Sequence, residues 1–303
     1  MELRVLGRGA IAGALAGLLG FVFARLLVEP VINRAIDYES GRDDVLAAIR
    51  VALKLPAEAD GPEIFSRSFQ SSVGIATGLI GIGIAFGLLV AVAWLVLAPR
   101  TNVRPRVLAW AVAAFGFAGV FLLPFAKYPA NPPAIGHEFS IVERGRLYLM
   151  VVVGSVVILA LCTLVARSVA RRVGWTKALW AAAAVFAVCY GTLFAVLPSL
   201  GDLTVNVSAS HDFGYARQAT ETPAPITNIS SKPLTVDGHT YAPGAIIYPG
   251  FDADDLWSFR WYSLLEQLVL WTTIALGFGW LVERYLTRLS LHGLHHDAAR
   301  PHR

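Results

Sequence analysis

Cysteine and charged residues are both scarce in this chain of 303 residues. The two cysteines, Cys162 and Cys189, lie inside apolar runs, so the sequence offers neither a disulfide framework nor a CxxC metal knuckle. Charged residues make up 15% of the chain and hydrophobic residues 56%, whereas about a quarter of the residues in soluble domains are charged. The composition therefore excludes an ordinary soluble domain and predicts an integral membrane protein.

Motifs typical of nucleotide hydrolysis and peptide hydrolysis are also missing. The sequence has no phosphate loop, no HExxH and no GxSxG, so it gives no support for an ATPase or a hydrolase. The net charge of +4 is spread along the chain, without a basic stripe interleaved with aromatics, which argues against nucleic acid as a partner. We therefore expect a protein that is not an enzyme and holds no bound cofactor.

Six apolar runs are long enough to cross a bilayer as helices. They cover residues 9–28, 73–98, 107–125, 147–166, 178–198 and 261–282. We predict an all-α integral membrane protein with a single polytopic domain over residues 1–303, into which residues 200–259 are inserted as an extramembrane loop. Within this loop, the polar/apolar alternation around Asp237-Gly238 predicts a small β-hairpin.

Short basic turns predict the orientation of the chain. Segments 99–106 and 167–177 carry three and four Lys/Arg residues, and the positive-inside rule is most reliable for short loops. We therefore expect both termini in the cytoplasm of a plasma-membrane protein, surrounded by lipid. The first loop, residues 30–72, would then face outward, with an amphipathic helix over residues 43–55 on the membrane surface.

Glycine recurs every fourth residue in the first apolar run, at Gly9, Gly13 and Gly17. Such a strip leaves one helix face without side chains, so a neighbouring helix can approach closely. The second run has a similar pair at Gly83 and Gly87. We expect close helix packing along these faces.

The third apolar run stops at residues 122–133, LLPFAKYPANPP, which we call the proline segment. Proline fixes φ and removes a backbone donor, so the helix must end or break here. In a bilayer, freed carbonyls and a lysine are tolerated only against protein or a water-filled cavity. The segment is thus a candidate gate or pathway, and a rigid turn at the membrane face is the alternative. The candidate gate residues are Pro124, Lys127, Tyr128, Pro129 and Asn131.

Residues with metal-ligand character occur at several places. His137 and Glu138 follow the proline segment, and Glu29 ends the first apolar run. We consider these three to be candidate metal ligands near the outer face, where they would attract a cation. A surface histidine in a loop, without a metal role, is the alternative for His137.

The C-terminal tail contains a second candidate metal cluster. HxxHH on a helix would place His292 and His296 on one face, with His295 beside them. Histidines in polar tails are otherwise solvated, which is the alternative.

Polar residues also lie at the start of the sixth run. Arg260, with Glu266 or Gln267, would line a polar entrance. Anchoring at the membrane interface explains the same residues equally well.

Several stretches together resemble the CbtA family of probable cobalt transporter subunits. They are residues 8–36, 59–74, 122–136, 143–149 and 256–284, in matching order and spacing. The specific part is KYPANPP combined with FRxxSxxxQLxLW. The resemblance implies a polytopic membrane protein that transports Co²⁺, acts with a small single-span CbtB partner and is linked to cobalamin metabolism.

The chain departs from the family pattern in two places. Family members often carry a histidine-rich run before the ADG segment, whereas residues 37–60 contain no histidine. The 200–259 loop is also much longer than the usual connection. No ligand set is therefore transferred from the family. Two alternatives stay open, a non-transporting membrane scaffold or assembly subunit and a transporter of another small solute such as a cobalamin precursor.

Overall fold

The computed structural model describes residues 1–56, 66–213 and 217–298, with side chains for all of these except 211–213 and 290–298. Helix makes up 78% of the structure. Within the described residues, six helices are long and apolar enough to cross a membrane: Glu2–Ala52, Arg67–Arg100, Pro105–Lys127, Glu138–Val173, Trp175–Val196 and Ala253–Leu289. The predicted class, an all-α integral membrane protein with a small hairpin, is confirmed.

Ten α-helices and four short strands form the described part of the chain. The helices are α1 (Glu2–Phe23), α2 (Glu29–Ala52), α3 (Arg67–Phe69), α4 (Ile75–Leu97), α5 (Pro105–Gly116), α6 (Leu123–Lys127), α7 (Ile141–Val173), α8 (Trp175–Val196), α9 (Thr204–Phe213) and α10 (Ala253–Ala298). Short π-helical turns at Ala24–Val28, Gln70–Gly74 and Phe117–Leu122 join α1 to α2, α3 to α4 and α5 to α6. The strands are β1 (Ile226–Thr227), β2 (Leu234–Val236), β3 (His239–Tyr241) and β4 (Ile246–Tyr248).

The chain forms two compact units. Unit 1 comprises Met1–Arg25, Arg67–Leu122 and Leu264–Arg303. Unit 2 comprises Leu26–Ser66 and Leu123–Ser263. The single polytopic domain with an inserted loop stays a prediction.

In unit 1, α1 and α4 pack against each other through glycine. A Cβ atom on Gly13 would collide with the carbonyl oxygen of Gly83, and one on Gly9 would collide with that of Gly87. The same holds in the other direction for Gly83 and Gly87. The two backbones are therefore in contact, which confirms the close packing predicted from the glycine strip.

The apolar core of unit 1 is completed by one face of α10. Leu270, Ile274, Phe278 and Val282 recur every four residues, and all four are fully buried. Trp94 of α4 meets Phe278 edge to face, with ring centroids 6.2 Å apart. This core holds α10 against α1, α4 and α5.

The first helix continues through the stretch predicted to be a loop. The π-helical turn Ala24–Val28 leads directly into α2, and Pro30 lies in the first turn of α2, where a proline is tolerated. The combined helix Glu2–Ala52 has 51 residues. Most of the amphipathic helix predicted over residues 43–55 is therefore the end of this longer helix.

In unit 2, α7 and α8 form a pair of helices joined at Gly174. The φ angle of Gly174 is +85°, in the left-handed region that favours glycine. Arg171 and Arg172 lie in the last turn of α7, where positive charge complements the carbonyl end of a helix. The predicted basic turn is therefore mostly helical.

The loop between α9 and α10 contains two antiparallel strand pairs. Strands β2 and β3 pair with Val236 opposite His239, and Asp237 and Gly238 form the two-residue turn with φ angles of +46° and +77°. Positive φ at both positions is the turn geometry that two-residue hairpins prefer. The predicted hairpin is confirmed, and β1 pairs with β4 beside it in sequence.

Candidate functional site

The third spanning helix ends in the proline segment. Pro124 is fully buried, and its carbonyl oxygen accepts the backbone N–H of Tyr128 at 2.9 Å. Pro129 has no N–H to continue the helix, so α6 stops at Lys127. The helix end predicted from the prolines is therefore present.

Lys127 binds the end of α8 through its side chain. The ammonium group donates to the carbonyl oxygens of Phe194 and Leu197 at 2.8 and 2.9 Å. Its Nζ atom also lies 5.2 Å from the ring centroid of Phe194 and 5.6 Å from that of Tyr128. The carbonyl end of a helix carries partial negative charge, so the lysine is stabilised without a carboxylate.

Tyr128 makes a second link from the proline segment to the residues that follow α8. Its hydroxyl donates to the carbonyl oxygen of Pro198 at 2.8 Å, and the residue is 7% exposed. Burial raises the pKa of the Tyr128 phenol. Lys127 and Tyr128 thus fix the proline segment.

Asn131 makes the third set of contacts that hold the proline segment. Its Nδ2 atom donates to the carbonyl oxygen of Thr220 at 2.6 Å, and its Oδ1 atom accepts from Arg260 Nη2 at 3.1 Å. Arg260 also donates from Nε to the carbonyl oxygen of Ala130 at 3.2 Å. Arg260 therefore supports the proline segment, and its role in a polar entrance stays a prediction.

His137 is held in a defined tautomer by Asn206. Asn206 Nδ2 donates to Leu200 O at 2.7 Å and to Glu221 Oε1 at 2.5 Å, so the amide oxygen must face His137. This oxygen lies 2.7 Å from His137 Nδ1. Since an amide oxygen only accepts, Nδ1 carries the proton, and in the neutral ring the lone pair is on Nε2.

Glu221 is the centre of this polar network and is 1% exposed. Its Oε2 atom accepts from Ser140 Oγ at 2.8 Å and from the backbone N–H of His137 at 3.3 Å. Arg144 Nε lies 3.3 Å from the same oxygen and forms an ion pair with it. The buried carboxylate therefore has the charge and hydrogen-bond partners that burial requires.

The chain matches the family described as "Probable cobalt transporter subunit (CbtA)" over residues 2–283. It belongs to the CbtA family. No curated protein and no solved structure matches the chain. The family is one of transporter subunits and not of enzymes, and the six apolar helices agree with an integral membrane protein.

Glu138, the residue after His137, lies in an acidic environment in this CbtA-family chain. Glu138 is exposed, and the negative charges of Glu138 and Asp43 both act on Glu39 of α2. Glu29, the other predicted metal ligand, is 2% exposed and lies in the interior. Within the described ranges, no three His, Cys, Asp or Glu side chains form a group that could hold a metal ion. The three predicted ligands, Glu29, His137 and Glu138, therefore do not form such a group.

The second predicted metal cluster falls outside what the structure describes. His292, His295 and His296 lie in the part of α10 whose side chains are not described. His239, in contrast, is described and lies exposed on β3, opposite Val236.

Sequence reasoning missed Asn206 and Glu221. Neither residue belongs to a recognisable motif, and they join His137 only through contacts 69 and 84 residues apart in the chain. Glu221 is the only charged residue between Arg217 and Lys232, but Glu is mostly exposed in proteins, so nothing in the local sequence indicates that it is buried.

Proposed function

We propose that this CbtA-family chain is the membrane subunit that moves Co²⁺, and that the ion passes the proline segment and His137. The observation that carries the proposal is the fixed tautomer of His137. Its Nδ1 donates to Asn206, so the lone pair on Nε2 has the arrangement common among metal-binding histidines. Imidazole nitrogen is a suitable ligand for a divalent first-row metal such as Co²⁺.

The charge next to His137 supports this assignment. The exposed Glu138, next to His137 in the chain, raises the local concentration of cations through its negative charge. One imidazole with a nearby carboxylate binds a dication weakly, and a transport pathway needs binding that still allows release. Membership in the CbtA family identifies cobalt as the ion to test first.

The proline segment would form the gate of this pathway. Lys127 carries a positive charge that raises the entry barrier for a dication, but its ammonium is held by the carbonyl oxygens of Phe194 and Leu197. The lysine therefore supports the shape of the segment from the side of α8. Asn131 supports the segment through Thr220 and Arg260.

The test is uptake of radioactive cobalt into deletion cells that express the chain. We expect His137→Ala to abolish most of the uptake, whereas His239→Ala, which removes an exposed histidine from β3, leaves it unchanged. Asn206→Leu removes the oxygen that fixes the tautomer and should lower uptake partially. Equal uptake by wild type and His137→Ala would overturn this assignment.

Partner and orientation belong to the same proposal. A transporter subunit has partner chains, and we propose a small single-span CbtB-like partner, both termini in the cytoplasm and residues 200–259 outside. On this loop, Ile229 is 92% exposed and Ile246 is 58% exposed, and we propose that the loop contacts the partner protein. Cobalt uptake measured with and without an added cobalamin precursor tests the link to cobalamin metabolism. The same assay tests the alternative that the chain transports such a precursor.

A further inference from the structure

We propose that Glu266 is a proton-binding site in the interior of unit 1, and that its proton exchange accompanies cation movement. Glu266 lies on α10 inside the sixth candidate span and is 7% exposed. An ionisable side chain at such a position is expensive to keep in a membrane and is therefore a candidate for function. The binding part of the proposal stands on geometry alone, and the coupling part rests on the proposed transport function.

One oxygen of Glu266 is fixed by a short hydrogen-bond chain. Trp271 Nε1 can only donate, and it donates to Gln267 Oε1 at 3.2 Å. This orients the amide, so Gln267 Nε2 donates to Glu266 Oε2 at 2.9 Å. Trp271 is itself held by Phe86, at 5.0 Å between stacked ring centroids, and by the close approach of Gly116. The orientation of the carboxyl group is therefore set by packing.

The other carboxyl oxygen of Glu266, Oε1, is the atom that would carry the proton. Glu266 Oε1 is buried and has no hydrogen-bond partner among the residues that the structure describes. It faces α1 at Gly20, where an added Cβ would lie 2.7 Å from it. A buried carboxylate oxygen that accepts no hydrogen bond favours the neutral acid, in which this oxygen carries the proton. Release of the proton leaves a carboxylate that still accepts from Gln267.

The central stretches of the helices that build the core around Glu266 in unit 1 carry no other charged residue. The core there is built by α1, α4, α5 and α10. Residues 9–24, 73–97 and 107–122 contain no Asp, Glu, Lys, Arg or His, and Glu266 is the only such residue between Arg260 and Glu283. The charged residues that border these uncharged stretches in sequence include Arg8, Arg25, Arg100 and Arg106, with Arg260 and Glu283 on either side of Glu266 on α10. A carboxylate without a counter-charge therefore takes up either a proton or a passing cation.

The direct test is a pH titration of the purified full chain by infrared difference spectroscopy. We expect wild type to show the carbonyl band of a protonated carboxylic acid that disappears on raising the pH. Glu266→Gln should remove this component, and Glu266→Asp should shift its frequency because the shorter side chain no longer reaches Gln267 in the same way. Glu283→Gln makes the same chemical change on the same helix and should leave the band in place.

Identical titrating bands in wild type, Glu266→Gln and Glu266→Asp would overturn the proton site. Coupling is tested separately by cobalt uptake into proteoliposomes under an imposed pH gradient. We expect wild-type uptake to follow the gradient and Glu266→Gln uptake to lose this dependence. If Glu266→Gln responds to the gradient like wild type, coupling is wrong while transport stands. If wild type shows the infrared band but moves no cobalt, the proton site stands and the proposed function is wrong.

Discussion

The ammonium of Lys127 donates to the carbonyl oxygen of Leu197 at 2.9 Å, which connects the end of the third spanning helix to the end of α8. Both residues lie in unit 2, and a second bond to Phe194 O strengthens the link. The last carbonyl oxygens of a helix have no N–H partner within the helix, and the lysine supplies hydrogen-bond donors to them. The proline segment is held by this link and by the hydrogen bond of Asn131 to Thr220.

Removal of the Lys127 charge should destabilise the proline segment. Lys127→Met keeps the length of the side chain but leaves the carbonyl oxygens of Phe194 and Leu197 without their donor. We expect the free energy of unfolding to fall by about 2 kcal/mol, because hydrogen bonds to charged groups contribute about 1.5–3 kcal/mol. Unfolding in lipid bicelles measures this change. Lys177→Met is the control, because it removes an exposed lysine at the start of α8 and should have little effect on stability. Equal losses of unfolding free energy in the two variants would contradict a stabilising role for the hydrogen bonds of Lys127.

Glu221 should be important for the stability of unit 2. Glu221→Gln removes the charge that pairs with Arg144, and we expect a loss of about 3 kcal/mol, since breaking a buried pair leaves the partner charge uncompensated. Asp202→Asn is the control, because the Asp202–Arg217 pair is exposed on both sides. Denaturant unfolding compares the two variants. A Glu221→Gln protein as stable as Asp202→Asn would refute the role of the buried network.

Tyr128 should contribute to loss of stability at alkaline pH. Burial raises the pKa of its phenol in the folded state, so the folded protein holds the proton more tightly than the unfolded chain does. Its contribution is complete below the ordinary pKa of about 10 and is lost as the pH rises through the folded value. Stability measured against pH should fall less steeply in Tyr128→Phe than in the wild-type chain. An unchanged slope in Tyr128→Phe would be inconsistent with this burial effect.

The glycine contact between α1 and α4 gives a prediction with an internal control. Gly13→Ala places a Cβ against the backbone carbonyl of Gly83, which cannot move aside, so we expect a loss of about 1–3 kcal/mol. Gly81 of α4 has nothing within 4 Å of an added Cβ. Gly81→Ala should therefore be neutral or stabilising by up to about 1 kcal/mol through helix propensity. Thermal unfolding of both variants in detergent provides the comparison, and similar melting temperatures would argue against backbone contact.

Much of the fold follows from local sequence patterns. Uncharged runs predicted the spanning helices, and glycine at every fourth residue predicted the close contact of α1 with α4. Asp237-Gly238 predicted the hairpin. Each of these features depends on residues close together in the chain. Pro30 was misleading because a proline in the first turn after a π-helical turn does not stop the helix.

The candidate site was predictable only in part. Lys127, Tyr128 and Asn131 were identified because they lie among prolines, but their partners come from segments 67 to 89 residues away. His137 likewise gains its defined tautomer from Asn206, which no local pattern connects to it. Contacts of this kind depend on how the α8 end and the following loop fold back onto the proline segment within unit 2.

The most direct test of the account is cobalt flux through the purified chain. Proteoliposomes that contain the wild-type chain, alone and with a CbtB-like partner, should accumulate radioactive cobalt above protein-free vesicles. His137→Ala should lower the accumulation to background, and His239→Ala should match wild type. Background flux from correctly inserted wild-type protein, even with the partner present, would contradict cobalt transport and favour the scaffold.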